Sequence, residues 1–598
     1  METILGIDLG TTNSEVAIIR DGKVEVLKED GEPILPSVVG LDAGGQLLVG
    51  AAARNQWVLA PDRTVRSIKR RMGTAETVRL GDQSYTPQEI SAFILRKLKE
   101  RAEKELGHAV HKAVITVPAF FNEMQREATR EAGELAGLEV MRIINEPTAA
   151  SLTYDPNPEK MERLLVYDLG GGTFDVSIVQ IEQGVVEVLS SHGDTHLGGD
   201  DFDQLLSDLV CDDFRREHGI DLRQSPSARS RVLRTVEEAK KRLSSESIVQ
   251  IEEEFIAEKQ GAPLHLRREL RREDYEELIE PLLAKTLKCV DESLADARLN
   301  ATQIDKVVLV GGASRTPRVH ELLEEQLGQP IHAEVDPDLC VAMGAAIQGG
   351  LIAGIDIGPV LVDITPHTLG IQVLGELDGR VSDYCFSRLI QRNSPLPASH
   401  SKIFTTVFDG QNAASIEVFQ GEDDDARHND PVGEFVLDGL ADVDRGNEIL
   451  VRFDLDLDGI LKVSATERAT GRQKQLVIDN AVTRFRASNR DEAMSRVKST
   501  FLGETGVSAD AAATEAVPAQ ELAPRTAGLP AEMVSLIDRC EQLIAKSGKL
   551  AEQSNPADAE EMRQLVEQLR AAMTGRSQTD METTAAKLED LVFYLQDA

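Results

Sequence analysis

Two aspartates carry the first chemical hint in this chain. Asp8 ends the apolar run Ile4-Leu5-Gly6-Ile7, Asp168 ends Leu164-Leu165-Val166-Tyr167, and each is followed by Leu-Gly and a turn of small residues. The match extends without a gap over Ile4–Ile19 and Leu164–Val179, at one offset of 160 residues (Asp8 against Asp168). Each copy reads as an apolar strand, a tight turn and a second β-branched strand. The turns are Gly10-Thr11-Thr12-Asn13 and Gly170-Gly171-Gly172-Thr173. Glycine lets the backbone approach an anion closely, and successive amides converge on phosphate oxygens. Carboxylates at the strand ends would repel phosphate, but they can hold Mg²⁺, often through water, because this ion keeps several waters. Asp175 adds a third carboxylate beside the second turn. A single copy would read equally well as an ordinary Gly-rich hairpin with an Asp cap. Two matched copies read as a clamp on a polyphosphate.

A third glycine turn, Gly311-Gly312-Ala313-Ser314-Arg315, follows the apolar run Val307–Val310 and precedes a helix beginning near Pro317. It can take a nucleoside as well as phosphate. No G-x-x-x-x-G-K-[ST] occurs, so the nucleotide is held by hairpins and not by a P-loop. Residues 1–353 alternate strands and helices, as an α/β fold requires. Residues 364–484 are β-rich: Ile449, Val451, Phe453, Leu455 and Leu457 alternate strictly, and Asp458-Gly459 makes a hairpin turn. Residues 485–598 read as helical, with a flexible stretch about 504–530 rich in Ala, Thr and Pro. The joint at 354–363, with Val360-Leu361-Val362, is too apolar for a passive spacer and is expected to dock.

A net charge of −37 (65 basic residues against 102 acidic) argues against nucleic acid or an anionic membrane as the main partner. No run approaches the ~18 apolar residues that would span a bilayer, and Met1-Glu2-Thr3-Ile4 runs straight into a strand with no leader pattern. The five scattered cysteines suggest reduced thiols and a cytoplasmic protein.

The set Gly6–Asn13, Ile144–Ala150, Asp168–Asp175, Gly193–Gly199, Val310–Arg315 and Gly344–Gly349 closely resembles the ATPase of the DnaK-type, 70-kDa heat-shock chaperones. The resemblance runs through about residue 480 and weakens beyond. It implies a two-lobed actin-like α/β ATPase, an antiparallel β-sandwich that binds peptide, and a helical lid. It also implies ATP-driven binding and release of exposed apolar segments of unfolded proteins, with ATP/ADP and Mg²⁺ as cofactors and K⁺ as a further cation. A J-domain co-chaperone and a GrpE-type exchange factor are the implied partners.

Carried over residue by residue, Gly10–Asn13 and Gly170–Thr173 would cradle the phosphates, Asp8, Asp168 and Asp175 would place Mg²⁺ and the attacking water, and Lys69 would neutralise the transferring phosphoryl group. By itself Lys69 is one of 65 basic residues, and only the family register selects it. Thr195 would lie near the γ-phosphate. Glu146 joins the nucleotide site, and Glu237, Lys240, Lys241, Ser244, Gly311, Gly312, Ala313, Arg315 and Asp338 would surround the nucleoside. Pro118, Arg126, Pro147, Val360, Leu361, Val362 and Asp363 would relay the nucleotide state to the linker, and Asn122, Glu123 and Arg142 match the J-domain surface. Leu369, Ile371, Phe404, Ala414 and Ile416 would line the peptide groove, with Leu374 and Val407 as its arch. By periodicity alone those apolar residues are equally consistent with sandwich core.

The departures lie at Pro359, which removes a donor at the start of the apolar joint, at Lys241 and Ala414, where arginine and valine are usual, in the long Gly375–Ser387 segment, and in a short first lid helix over Asn489–Thr500. They lean toward a specialised member. A small-molecule kinase of the same superfamily would lack the apolar joint and the C-terminal sheet, and a non-hydrolysing holdase or exchange factor would lack Lys69 or the aspartates; all are present.

Overall fold

The computed structural model describes residues 2–154, 160–328, 331, 336–355, 357–457, 459–477 and 487–501, with isolated positions between 565 and 588. The chain forms two units, Met1–Gly506 and Val507–Ala598. Most of the lid expected over 485–598, the stretch 504–530 and Asp458 lie outside the described residues.

The repeated segments form the centres of two sheets. In the first lobe the strand order is Glu139–Asn145, Lys112–Val117, Ile4–Leu9, Asn13–Arg20, Lys23–Val26. In the second it is Lys306–Val310, Glu162–Leu169, Phe174–Glu182, Val185–Asp194, Val360–Val362. Each sheet joins a three-strand antiparallel meander to parallel strands that enter through helices, the pattern of an α/β layer. These central strands are buried over most of their length, so they read as nearly continuous apolar runs.

The helices Glu146–Ser151 and Cys340–Ile352 cross between the lobes. Their approach demands glycine: a Cβ at Gly344 would lie 1.8 Å from the Ala149 carbonyl oxygen, and one at Gly6 would lie 2.0 Å from Ala346 N. Glycine here is a spacing device, and both positions fall in segments that the sequence had already marked.

Residues Leu369–Val477 form two four-stranded antiparallel sheets, Arg380–Ile390, Leu369–Leu377, Ala413–Gln420, Asp430–Asp438 and Ala398–Thr405, Glu448–Leu455, Leu461–Glu467, Gln473–Val477. Their inner faces share one core. The alternation at Ile449, Val451, Phe453 and Leu455 buries all four side chains, but the strand ends at Leu455 and Leu457 is exposed. The Gly375–Ser387 segment extends a hairpin that turns at Asp378-Gly379.

The helix Ala487–Phe501 packs on the first lobe, a docking that the sequence does not announce. Ala493 and Val497 are fully buried in that lobe's core. Arg496 reaches the buried Glu89 at 2.8 Å, Thr500 lies 3.2 Å from the Tyr85 hydroxyl, and Phe501 lies under Arg96.

Candidate functional site: two facing hairpins around a buried ion pair

The two hairpins keep the same register under the 160-residue offset: Asp8 faces Glu15 across its pair, and Asp168 faces Asp175. Their turns meet head-on. A Cβ at Gly171 would sit 1.9 Å from Thr12 Oγ1, and one at Gly172 would sit 2.5 Å from Thr11 Cγ2. Thr12 Oγ1 is buried without a hydrogen-bond partner among the described residues, a donor placed where a phosphate oxygen would accept. Gly311, at φ 80°, closes the third side against the Leu169 carbonyl, where a side chain could not fit. Between the turns lies a cavity of about 80 Å³, lined by the three turns together with Lys69, Glu146, Asp338 and Glu15.

The lobes are drawn together above this cavity. Arg66 reaches Glu237 at 3.3 Å, Ser67 Oγ donates to Asp200 at 2.5 Å, and Arg70 pairs with Asp201 at 2.7 Å. Glu237 and Lys241 line a second cavity of about 420 Å³ with Trp57 and Arg66. Lys240 pairs with Asp203 and donates to the Gly199 carbonyl, both at 2.9 Å. Ser244 ends its helix, Ala313 is half-buried, and Arg315 is exposed and paired with Asp338 at 2.6 Å. Thr195 does not line the cavity between the turns, and its hydroxyl lies 3.0 Å from His196 Nδ1.

Lys69 is only 2 % exposed. It sits on the short turn Ile68–Arg71, which opens with Ser67 in the left-handed region at φ 52°. Its ammonium pairs with Glu146 and lies 5.7 Å from the Phe121 ring. Asp8 accepts from Thr116 Oγ1 at 2.9 Å, and Asp175 accepts from the Phe120 amide at 2.9 Å. Burial, followed by the charge of Glu146, pushes the Asp8 carboxyl up to about 7 and that of Asp175 up to about 8. Asp168 is driven well above its ordinary value for the same reasons.

Asp8, Asp168, Asp175 and Glu146 thus share one buried ammonium, an excess of negative charge that a cation would relieve. Among the described residues, no three Asp, Glu, His or Cys side chains converge closely enough to grip a metal directly. The donor set therefore suits a hydrated Mg²⁺ held largely through water. Glu15 was missed by the sequence reading. It is buried, lines the cavity, and burial drives its carboxyl well above the usual range. The repeat held the signal, because Glu15 is the counterpart of Asp175 at the same offset.

Residues 4–597 match the model of the Hsp70 protein family. The chain belongs to the Hsp70 family. It is 48 % identical over 486 residues to the chaperone protein DnaK of Thermotoga petrophila and of Thermotoga maritima, covering 80 % of this chain and 80 % of each relative. The DnaK of Thermotoga neapolitana matches to the same extent. As a member of the Hsp70 family the chain is an ATPase and an ATP-dependent chaperone.

In this Hsp70 the apolar joint forms the edge strand of the second lobe. Val360, Leu361 and Val362 pair in parallel with Val185, Val186 and Glu187. The Val360 amide donates to the Gly184 carbonyl at 2.8 Å, so Pro359 falls just before the first donor that the ladder uses. Asp363 continues inward: Asn145 Nδ2 donates to its carboxylate at 3.0 Å, and Arg126 donates to Asn145 Oδ1. Pro147 is buried at the start of the helix that carries Glu146, and Pro118 ends the strand Lys112–Val117. Glu123 is covered from the sandwich side, its amide donating to Gln420 Oε1 at 3.3 Å.

The expected groove residues divide. Leu369, Ile371 and Ile416 are sandwich core, Phe404 and Ala414 are half-buried against that core, and Leu374 and Val407 stand exposed. The acidic run Glu422–Asp425 is tied down: Glu422 takes the Thr368 amide and hydroxyl, and Asp424 pairs with Arg388 at 2.7 Å. His108 and His111 are exposed surface residues.

Proposed function

We propose that the facing hairpins bind the β- and γ-phosphates of ATP, and that Lys69 and the three aspartates perform its hydrolysis. The observation that carries this reading is the buried Lys69–Glu146 pair set among Asp8, Asp168 and Asp175 between the two glycine turns. Bound Mg²⁺ would supply charge neutralisation on the phosphate oxygens. The chain's own groups do the rest. The amides and hydroxyls of Gly10–Asn13 and Gly170–Thr173 orient the phosphates, Lys69 offers its ammonium to charge developing in the transition state, and the carboxylates fix the attacking water. Phosphoryl transfer asks mainly for such positioning and preorganised electrostatics. Glu237, Lys240, Lys241, Ser244, Gly311–Ala313, Arg315 and Asp338 hold the nucleoside, with K⁺ as a further cation.

The boundaries follow as 1–353 for the ATPase, 354–363 for the linker, 364–484 for the sandwich and 485–598 for the lid. Binding of an unfolded, apolar segment over Phe404, Ala414, Leu374 and Val407 couples to the ATPase through Val360–Asp363, Arg126, Pro118 and Pro147. A J-domain protein and a GrpE-type exchange factor set the pace of the cycle, which we place in the cytoplasm. Steady-state ATP hydrolysis with and without an unfolded apolar peptide, beside Lys69→Ala, tests both halves. Slow turnover that rises with peptide and vanishes in the variant is expected. Turnover indifferent to peptide refutes the coupling, and turnover that survives in the variant refutes the site.

A further inference from the structure

Asp175 is held by a residue that is itself held from the sandwich. The Phe120 amide donates to Asp175 Oδ1 at 2.9 Å, and the Phe120 ring is contacted by two histidines. His192, on the last hairpin strand of the second lobe, stacks on it with centroids 6.1 Å apart and planes at 25°. His367, on the segment entering the sandwich, meets it edge-on at 4.4 Å and 61°. His367 Nε2 also lies 3.1 Å from the Phe120 carbonyl oxygen. A carbonyl only accepts, so this nitrogen carries the proton and donates.

His192 is fixed in turn by groups from both sides. Its Nε2 is 2.9 Å from Asp296 Oδ2, and its Nδ1 is 3.6 Å from Glu292. Asp296 also takes Arg392 and Asn393 of the sandwich, each at 2.9 Å, and Arg392 Nη1 lies 3.3 Å from His192 Nε2. Nothing in the nucleotide site or the linker strand uses these two histidines.

We propose that His367 is a positioning residue for hydrolysis: by gripping the ring and carbonyl of Phe120 it holds the amide that fixes Asp175, so seating of the sandwich is felt at the hydrolytic carboxylate. This rests on the reading of Asp175 given above. The grip is also sensitive to acid. His367 is buried and faces Arg126, His192 and Arg392; burial first, then those cations, push it down to about 4 from an ordinary 6.5, while the bond to Phe120 opposes the shift. A histidine that stays neutral when seated but is free to protonate when released weakens seating about tenfold per pH unit from about 6.5 towards 4, and has no effect above that window.

Amide hydrogen exchange of the full-length chain saturated with ATP and Mg²⁺, corrected for intrinsic rates, tests this alongside single-turnover hydrolysis. In the wild-type chain, protection of the Phe120 amide and of Val360–Val362 is expected to fall about fivefold between pH 6.5 and 5.5. His367→Gln keeps a donor for the Phe120 carbonyl and cannot titrate, so protection at pH 7.5 survives and the fall with pH disappears. His367→Ala loses the grip: protection of the Phe120 amide at pH 7.5 drops about fivefold, and the single-turnover rate departs from wild type with ATP affinity unchanged. A Phe120 amide equally protected in His367→Ala, or a pH-dependent fall that persists in His367→Gln, overturns the proposal. Exchange that responds while the hydrolysis rate stays put overturns the reading of Asp175 instead.

Discussion

Replacing Lys69 by methionine, which keeps most of the volume and removes the charge, probes the whole site at once. Lys69 is the ammonium that lowers the carboxyls of Asp8, Asp168 and Asp175 against their burial. Losing one preorganised electrostatic partner of a transition state costs about 3–4 kcal/mol, or 10²- to 10³-fold in rate. Removing one member of a buried ion pair costs about 3–5 kcal/mol of stability. The sign with pH follows from the direction of the shifts. Carboxyls raised by folding contribute stability at low pH that is lost as pH climbs through their folded values, about 7 for Asp8 and about 8 for Asp175. Without Lys69 those values rise further, so the nucleotide-free variant should fall further below wild type at pH 8.5 than at pH 6. Single-turnover hydrolysis and thermal midpoints at the two pH values measure both effects. A rate within tenfold of wild type, or a stability gap that narrows as pH rises, would refute the electrostatic account.

Gly171→Ala places a methyl 1.9 Å from Thr12 Oγ1 and should weaken ATP binding at least tenfold with little change in the sandwich, as titration calorimetry would show. Arg496→Ala leaves Glu89, which is fully buried, with only the Thr86 cap as partner among the described residues. It should loosen the Ala487–Phe501 helix by about 1–2 kcal/mol, seen as faster amide exchange over 487–501 and not over the strands. Binding of Mg²⁺ and ATP at pH 7 should release protons from Asp8, Asp168 and Asp175, because a bound cation favours their charged forms. Calorimetry in two buffers of different ionisation enthalpy would detect the release, and identical heats would contradict it.

The sequence carried most of the ATPase because the determining signals there are local. Equal spacing around Asp8 and Asp168 dictated equal hairpin registers, and small residues marked every close approach, at Gly6, Gly171 and Gly344. Lys69 could not be found this way; its setting is made by Glu146 and Phe121, far off in sequence, and only a family register selects it. Glu15 was legible in the repeat as the counterpart of Asp175, on the strand that follows the turn marking the site. In the sandwich, a period of two cannot separate residues facing a groove from residues facing the core, and Leu369, Ile371 and Ile416 proved to be core. Docking of Ala493 and Val497 on the first lobe was beyond reach for the same reason: an amphipathic face declares that it needs cover without naming what covers it.

The three-residue strand Val360–Val362 closes the edge of the second-lobe sheet. Whenever that segment lies elsewhere, Val185–Glu187 presents bare amides and carbonyls beside a Val185 side chain that is already 38 % exposed. An open edge of this kind pairs readily with any extended chain, including a second copy. Its shortness and the carboxylate of Glu187 limit such pairing without abolishing it. Under the coupling proposed above, each departure of this segment uncovers the same sort of adhesive surface that a chaperone covers on other proteins. How long the linker stays away then bears on self-association as well as on signalling.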